Sequence, residues 1–333
     1  MYSNSWSDLA ICKKCGSNLS QKDTNIVCVN CGEDHSSPQK WFVVTDGKLL
    51  DDPSIIGQIS APSELSIGPV KEFYLPAIQD AGIELDDLRI LEIGSGAGNI
   101  AYGFSKVAKP LVYVATDAYV QLLGVLRTNL DQCGLVEPVG WVAGLNADIE
   151  IALRPKKINI VIGHSVLHHV LDYRTLIQRL NILLDTPGVM LFAEPLRDGW
   201  AYFLTIINLL IEQANIFRLS ETSIMILGYM KNNLSKRITK ADDREFLATL
   251  EDKHIFALDD LYDLASQEGL SFYTQKLKTT ALQSTILQLQ ALGISANEME
   301  RIEPFLKKII PEVSGKDVEF AGFVNWLAFC KIK

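Results

Sequence analysis

The sequence predicts an open α/β sheet preceded by a small cysteine-rich module, and two features carry that expectation. The first is Arg89 to Asn99, RILEIGSGAGN, an apolar run entering a turn with glycines at alternate positions. Glycines there allow a tight turn and let backbone N–H groups approach a ligand where a Cβ would collide. The helix starting near Asn99 offers unpaired N-terminal donors, so a mononucleotide-like ligand belongs at this first strand–helix junction. The second feature is the spacing Cys12-x2-Cys15 and Cys28-x2-Cys31.

The cysteine module comes first in the chain. Four thiolates in two Cys-x2-Cys knuckles, each followed by a glycine (Gly16, Gly32), read as a four-sulfur zinc site. Cys12, Cys15, Cys28 and Cys31 fill every tetrahedral position, leaving none for a catalytic water, so the zinc is structural. A segment this short rarely folds without such support. Two disulfides are the alternative, disfavoured by a reducing interior and by the motif geometry. Trp41 to Leu50 reads as a hairpin around Asp46-Gly47, which closes a module over residues 1–50. Cys133 and Cys330 read as small buried hydrophobes. Residues 51–68, with Pro53 and Pro62, form a linker. A helix over Pro69 to Ala81 then leads to the first strand, with Lys71 and Tyr74 as its candidate ligand-facing residues.

The glycine turn departs from the dinucleotide fingerprint G-x-G-x-x-G, whose third glycine would stand where Asn99 stands. The spacing is E-x-G-x-G-x-G, which resembles motif I of the class I S-adenosylmethionine (SAM) dependent methyltransferases. The resemblance implies that Glu92, Gly94, Ser95, Gly96 and Gly98 hold the amino-acid and ribose parts of SAM. It continues downstream. Leu111 to Thr116 reads as the second strand, ending in Asp117 and Ala118. A carboxylate at that strand end is placed to accept both ribose hydroxyls. A third strand near Gly140 to Ala143 leads to Asn146, Ala147 and Asp148, where the family contacts adenine. Ile158 to Val170, INIVIGHSVLHHV, looks like the fourth strand and following turn of small-molecule methyltransferases, with His164 beside the expected sulfonium. A fifth strand, Val189 to Ala193, ends in Glu194-Pro195. The implied fold is a seven-stranded Rossmann-like methyltransferase sheet over residues 69–333. The cysteine module resembles small zinc ribbons at the start of some bacterial methyltransferases.

After Glu194 the chain departs from a minimal domain of this kind. Insertions at 197–256 and 279–316 flank a helix near Leu258 to Gln267 and a sixth strand at Ser271 to Lys278, and a last strand runs from Glu319 to Ile332. In the family the last strand lies antiparallel between the fifth and sixth. Both insertions then start or end at the ligand edge of the sheet and build a helical cap. Its apolar residues, Trp200, Phe203, Ile206 and Leu210 among them, predict a hydrophobic acceptor cavity.

Composition narrows the function. The chain has 333 residues, 48% hydrophobic and 21% charged, with net charge −9. That balance supports a sizeable core and disfavours a long phosphate-backbone footprint. No secretory signal or membrane span is visible, which implies a cytoplasmic enzyme. The reading is a SAM-dependent methyltransferase of secondary metabolism acting on a small or medium-sized organic acceptor, with His169 and His164 as acid–base candidates. The position of His169 resembles that of an active-site histidine in phosphoethanolamine methyltransferases. Two alternatives stand beside it: an rRNA or tRNA base methyltransferase that holds RNA with its ribbon, and a non-catalytic subunit whose ribbon docks a protein partner.

Overall fold

Every second residue of the central strands faces the same apolar layer. Leu91, Ile93, Val161, Met190 and Phe192 belong to one buried cluster, while Ile90, Ile160, Ile162, Leu191 and Ala193 belong to another. Runs that are apolar on both faces are the mark of strands covered on both sides. The computed structural model describes residues 10–12, 14–22, 25–35, 42–43, 62–108, 110–132, 142–143, 153–275, 280–314 and 324–331.

The main sheet contains β4 (Arg89–Ile93), β5 (Val112–Thr116), β7 (Ile158–His164), β8 (Leu184–Pro195), β9 (Ser271–Gln275) and β10 (Val324–Lys331) in the order β5-β4-β7-β8-β10-β9. The first four pair in parallel, and β10 runs antiparallel between β8 and β9. A helical run over 64–80 (α1) and α2 (Asn99–Val107) cover one face, and α4 (Tyr173–Leu183) and α7 (Leu258–Gln267) cover the other. Helix α3 (Val120–Gln132) joins the first of these layers.

Among the described residues the sheet has six strands where the sequence predicts seven. Of the expected third strand, only β6 (Val142–Ala143) is described. It lies beside β5 but spends its ladder on β3 (Phe42–Val43), parallel to it. Asn146, Ala147, Asp148, Cys133 and the turn at Asp46-Gly47 lie outside the described residues.

The cysteine module is a hairpin of β1 (Leu19–Lys22) and β2 (Asn25–Cys28) with Leu19 opposite Cys28. Among the described residues it is tied to the sheet by a bridge between Ala10 and Leu153, a hydrogen bond from Arg154 to Asn18 Oδ1, and the membership of Ala10, Cys12, Leu19 and Cys28 in the sheet's buried cluster. Leu153 and Arg154 immediately precede β7, so the module docks at the amino ends of the parallel strands. The glycine turn lies at the opposite edge.

The two insertions fold against each other. Helices α5 (Arg197–Glu212) and α6 (Glu221–Thr239) join α8 (Ala281–Ala291) and α9 (Ala296–Ser314) around one core that includes Phe203, Ile206, Leu210, Leu289, Ile302 and Leu306. The apolar positions expected to line an acceptor cavity are therefore largely consumed by this core. The insertions do depart from the carboxyl edge: Arg197 N–H donates to the Phe256 carbonyl at 2.7 Å, just beyond β8.

One close approach on α2 gives a stability prediction. A Cβ at Gly103 would stand 2.5 Å from the Ser66 carbonyl oxygen and 2.6 Å from Val70 Cγ2. Gly103→Ala must push α1 off α2, and overpacking of this kind costs about 1–3 kcal/mol. Urea denaturation should show that loss. An unchanged midpoint would mean that α1 yields freely.

Candidate functional site

Strand β4 delivers the chain into Gly94, Gly96 and Gly98 at φ of 66°, 51° and 90°, all in the left-handed region. Only at Gly94 and Gly98 would a Cβ also collide, 2.6 Å from Val166 Cγ2 and 2.9 Å from Leu126 Cγ respectively. Space beside Gly96 is open to 4 Å. That opening is a cradle at the mouth of the turn.

Asp117, buried at the end of β5, ties the cradle together. Its Oδ2 accepts from Gly96 N–H at 2.9 Å and its Oδ1 from Tyr119 N–H at 2.9 Å. Burial raises its pKa, against the lowering effect of those backbone donors. Ser95 N–H donates to the Thr116 carbonyl at 2.9 Å, while its buried Oγ has no hydrogen-bond partner among the described residues. A buried hydroxyl left unpaired is costly unless a ligand completes it. Ala118 follows Asp117 at the same strand end.

Glu92 occupies a different layer. It is buried, and its Oε2 accepts from the Tyr113 hydroxyl at 2.7 Å. Burial pushes its carboxyl up to about 8, with Tyr113 pulling it down and Asp117 adding to the rise. Glu92 thus supports the strand pair from behind the turn. Tyr74 is likewise fully buried, its hydroxyl unpaired among the described residues, whereas Lys71 is exposed.

At the end of β7, His164 stands beside the turn, because Ile93 pairs with Gly163. Its ring lies edge-on to Trp326 at 5.4 Å, and Trp326 stacks on Phe73 at 4.5 Å. The ring is solvent-accessible yet crowded by protein, which depresses its pKa despite nearby Glu194. Ser165 then takes φ of 54°, an uncommon conformation for serine. Fully buried Glu194 supports that bend. Its Oε1 accepts from Val166 and Leu167 N–H at 2.8 and 2.7 Å, and its Oε2 from His168 N–H at 3.3 Å. The His168 ring meets the same Oε2 through Nδ1 at 2.6 Å. His169 is exposed, with Nδ1 turned to the Glu251 carbonyl at 3.1 Å.

The structure therefore gathers Gly94, Ser95, Gly96, Gly98, Asp117, Ala118 and His164 at one edge, leaves Glu92 behind it, and turns His169 toward the insertion. Trp326 and Phe73 were not legible as site residues, since aromatic residues in apolar segments carry no pattern that separates site from core.

In the N-terminal module the Cys12–Cys31 and Cys15–Cys28 sulfurs are 3.6 and 3.5 Å apart, and all four lie within 4.8 Å of one another. Disulfide sulfurs stand at roughly 2.05 Å, so these four are thiols. Four sulfurs each about 2.3 Å from one zinc would be separated by roughly 3.8 Å. His35 Nε2 approaches Cys12 Sγ at 3.3 Å, as an outer partner would.

A family model described as a methyltransferase domain matches residues 68–272. An uncharacterized methyltransferase of Mycobacterium tuberculosis is 33% identical over 133 residues, covering 38% of this chain and 62% of its own length, and one from Mycobacterium bovis gives the same figures. The chain thus spans about three fifths of the curated relatives it matches. Among solved structures, the YcgJ protein of Bacillus subtilis aligns with a TM-score of 0.45 at 15% identity, over 81% of this chain and 100% of that one. Phosphoethanolamine N-methyltransferase 2 of Haemonchus contortus, in complex with SAM, aligns at 0.44 and 14%, over 78% of this chain and 51% of that one. With the family model covering more than half of its length, the chain belongs to the methyltransferase-domain family.

Proposed function

We propose that this chain transfers a methyl group from SAM to a small or medium-sized organic acceptor. The observation that carries the reading is the glycine turn, held by Asp117 and left with an open cradle at Gly96 and an unpaired buried Ser95 hydroxyl. When bound, SAM supplies a methyl already activated on a sulfonium. The protein then needs to align the acceptor and exclude water. Asp117 retains acceptor capacity for ribose hydroxyls, and the turn's N–H groups and Ser95 Oγ suit the amino-acid end. Asn146, Ala147 and Asp148 remain the adenine candidates by resemblance.

Of the two histidines, His164 is proposed as the base, since His169 turns toward the insertion while His164 stands beside the glycine turn. Its depressed pKa keeps the ring neutral near pH 7, ready to take a proton from an oxygen or nitrogen acceptor. His164→Ala should lower the turnover constant by roughly 10²–10⁴-fold while leaving SAM affinity within about tenfold. Equal turnover in the variant would return His164 to a packing role. The insertions, rooted at the carboxyl edge, act as the cap over the acceptor, and Trp326 and Phe73 give its floor an apolar, electron-rich character that suits an acceptor with apolar parts.

The cysteine geometry supports a structural zinc. Cys12→Ser should lose one tightly held zinc per chain by metal analysis and unfold the ribbon. A zinc content unchanged from the wild-type chain in that variant would remove the assignment. The docking of the ribbon at the edge opposite the glycine turn, together with net charge −9, argues against a ribbon that presents RNA to the site. A protein partner remains a role open to its outer face. No helix among the described residues is long and apolar enough to cross a membrane.

A further inference from the structure

We propose a second metal site, distinct from the four cysteines, formed by His168, His169 and Asp252 and suited to a divalent first-row transition metal such as zinc. Asp252 comes from the end of the first insertion, the two histidines from the turn after β7. Asp252 Oδ1 lies 3.6 Å from His168 Nε2 and 3.5 Å from His169 Nδ1. One donor atom from each residue falls within a set spanning no more than 4.8 Å. Nitrogen and oxygen ligands at roughly 2.0–2.1 Å from a tetrahedral zinc would be separated by about 3.3 Å, so the two Asp252 distances need to close by a few tenths of an ångström while the two histidine nitrogens draw together from within 4.8 Å.

The outer partner is what distinguishes this cluster from a chance ion pair. Glu194 already accepts three backbone N–H groups, so it meets the His168 ring as an acceptor and fixes the hydrogen on Nδ1. That leaves the Nε2 lone pair to bind a cation, with Asp252 Oδ1 3.6 Å away. A buried carboxylate that orients a histidine, which in turn presents its other nitrogen to the ion, is the usual outer arrangement of metal-binding histidines. His169 would supply the second nitrogen: its Nδ1, 3.1 Å from the Glu251 carbonyl, would pass its hydrogen to Nε2 on binding the ion and leave that carbonyl as a further oxygen nearby. The two imidazole centroids are 4.1 Å apart and tilted by 42°, so the rings are close neighbours.

The site opens outward. The side chains of His169 and Asp252 are 40% and 54% exposed, so a fourth position would be filled by water or by an oxygen of a bound molecule. Binding would also staple the insertion to the β7 turn, where Lys253 and His254 N–H already donate to the His168 carbonyl at 2.7 and 3.1 Å. The inference does not depend on the methyl-transfer reading, because its readout is metal stoichiometry.

The test is calorimetric titration of Zn²⁺ into the tag-free full chain after dialysis against a mild chelator that leaves cysteine-bound zinc in place. One further equivalent should bind, and the Cys12→Ser chain should keep it. Asp252→Asn and His169→Gln, both at exposed positions, should each weaken it by roughly tenfold or more with folding unchanged by circular dichroism. Cobalt in the second site should give a visible spectrum without the intense thiolate charge-transfer bands. No second equivalent at sub-millimolar zinc, or one indifferent to both substitutions, would overturn the proposal.

Discussion

Asp117→Ala should lower affinity for S-adenosylhomocysteine by roughly 10²–10⁴-fold. The carboxylate is proposed to take two ribose hydroxyls, and charge-assisted hydrogen bonds of that kind contribute roughly 1.5–3 kcal/mol each. The same residue accepts Gly96 N–H at 2.9 Å, so its removal also frees the turn that forms the cradle. Asp117→Asn should fall between the variant and wild type, since an amide oxygen can still hold Gly96 but the charge is gone. Titration calorimetry separates the two effects, and unchanged affinity in Asp117→Ala would sink the cofactor assignment.

The second large effect is on stability. Glu194→Ala removes a fully buried carboxylate that serves four donors: Val166, Leu167 and His168 N–H, and the His168 ring. All four would be left without their acceptor beneath a residue held at positive φ, Ser165. Each buried donor left without its acceptor costs about 1–3 kcal/mol, so the loss should reach roughly 3–5 kcal/mol. Urea unfolding should register a loss in that range, and a change under about 1 kcal/mol would mean that water replaces the carboxylate.

Much of this arrangement was legible from local chemistry. The strand–turn–helix at 89–107 was readable because three left-handed positions demand glycine and the sequence supplies them in order. The helix at Leu258–Gln267 was readable as the crossover that leads to the sixth strand. The antiparallel place of the last strand came with the resemblance. Other parts were set by partners distant in the chain. The insertions looked like a cavity wall because helical apolar spacing says that a face is buried without saying against what, and each face meets the other insertion. Val142–Ala143 reads as a sheet strand, yet its pairing depends on Phe42–Val43. Glu92 stands in a ligand motif, but its carboxylate is claimed by Tyr113 on the neighbouring strand. Asp252 belongs to no motif, and only the fold brings it to His168 and His169.

The central claim is that the turn at Gly94 to Gly98 holds SAM and not a dinucleotide, with Asn99 standing where a dinucleotide site would have its third glycine. The direct measurement is titration of the wild-type chain with S-adenosylhomocysteine, followed by NAD in a separate run. The account predicts one saturable site for S-adenosylhomocysteine, displaced by SAM, and no heat from NAD. Saturable NAD binding, or silence toward both sulfur ligands, would contradict it.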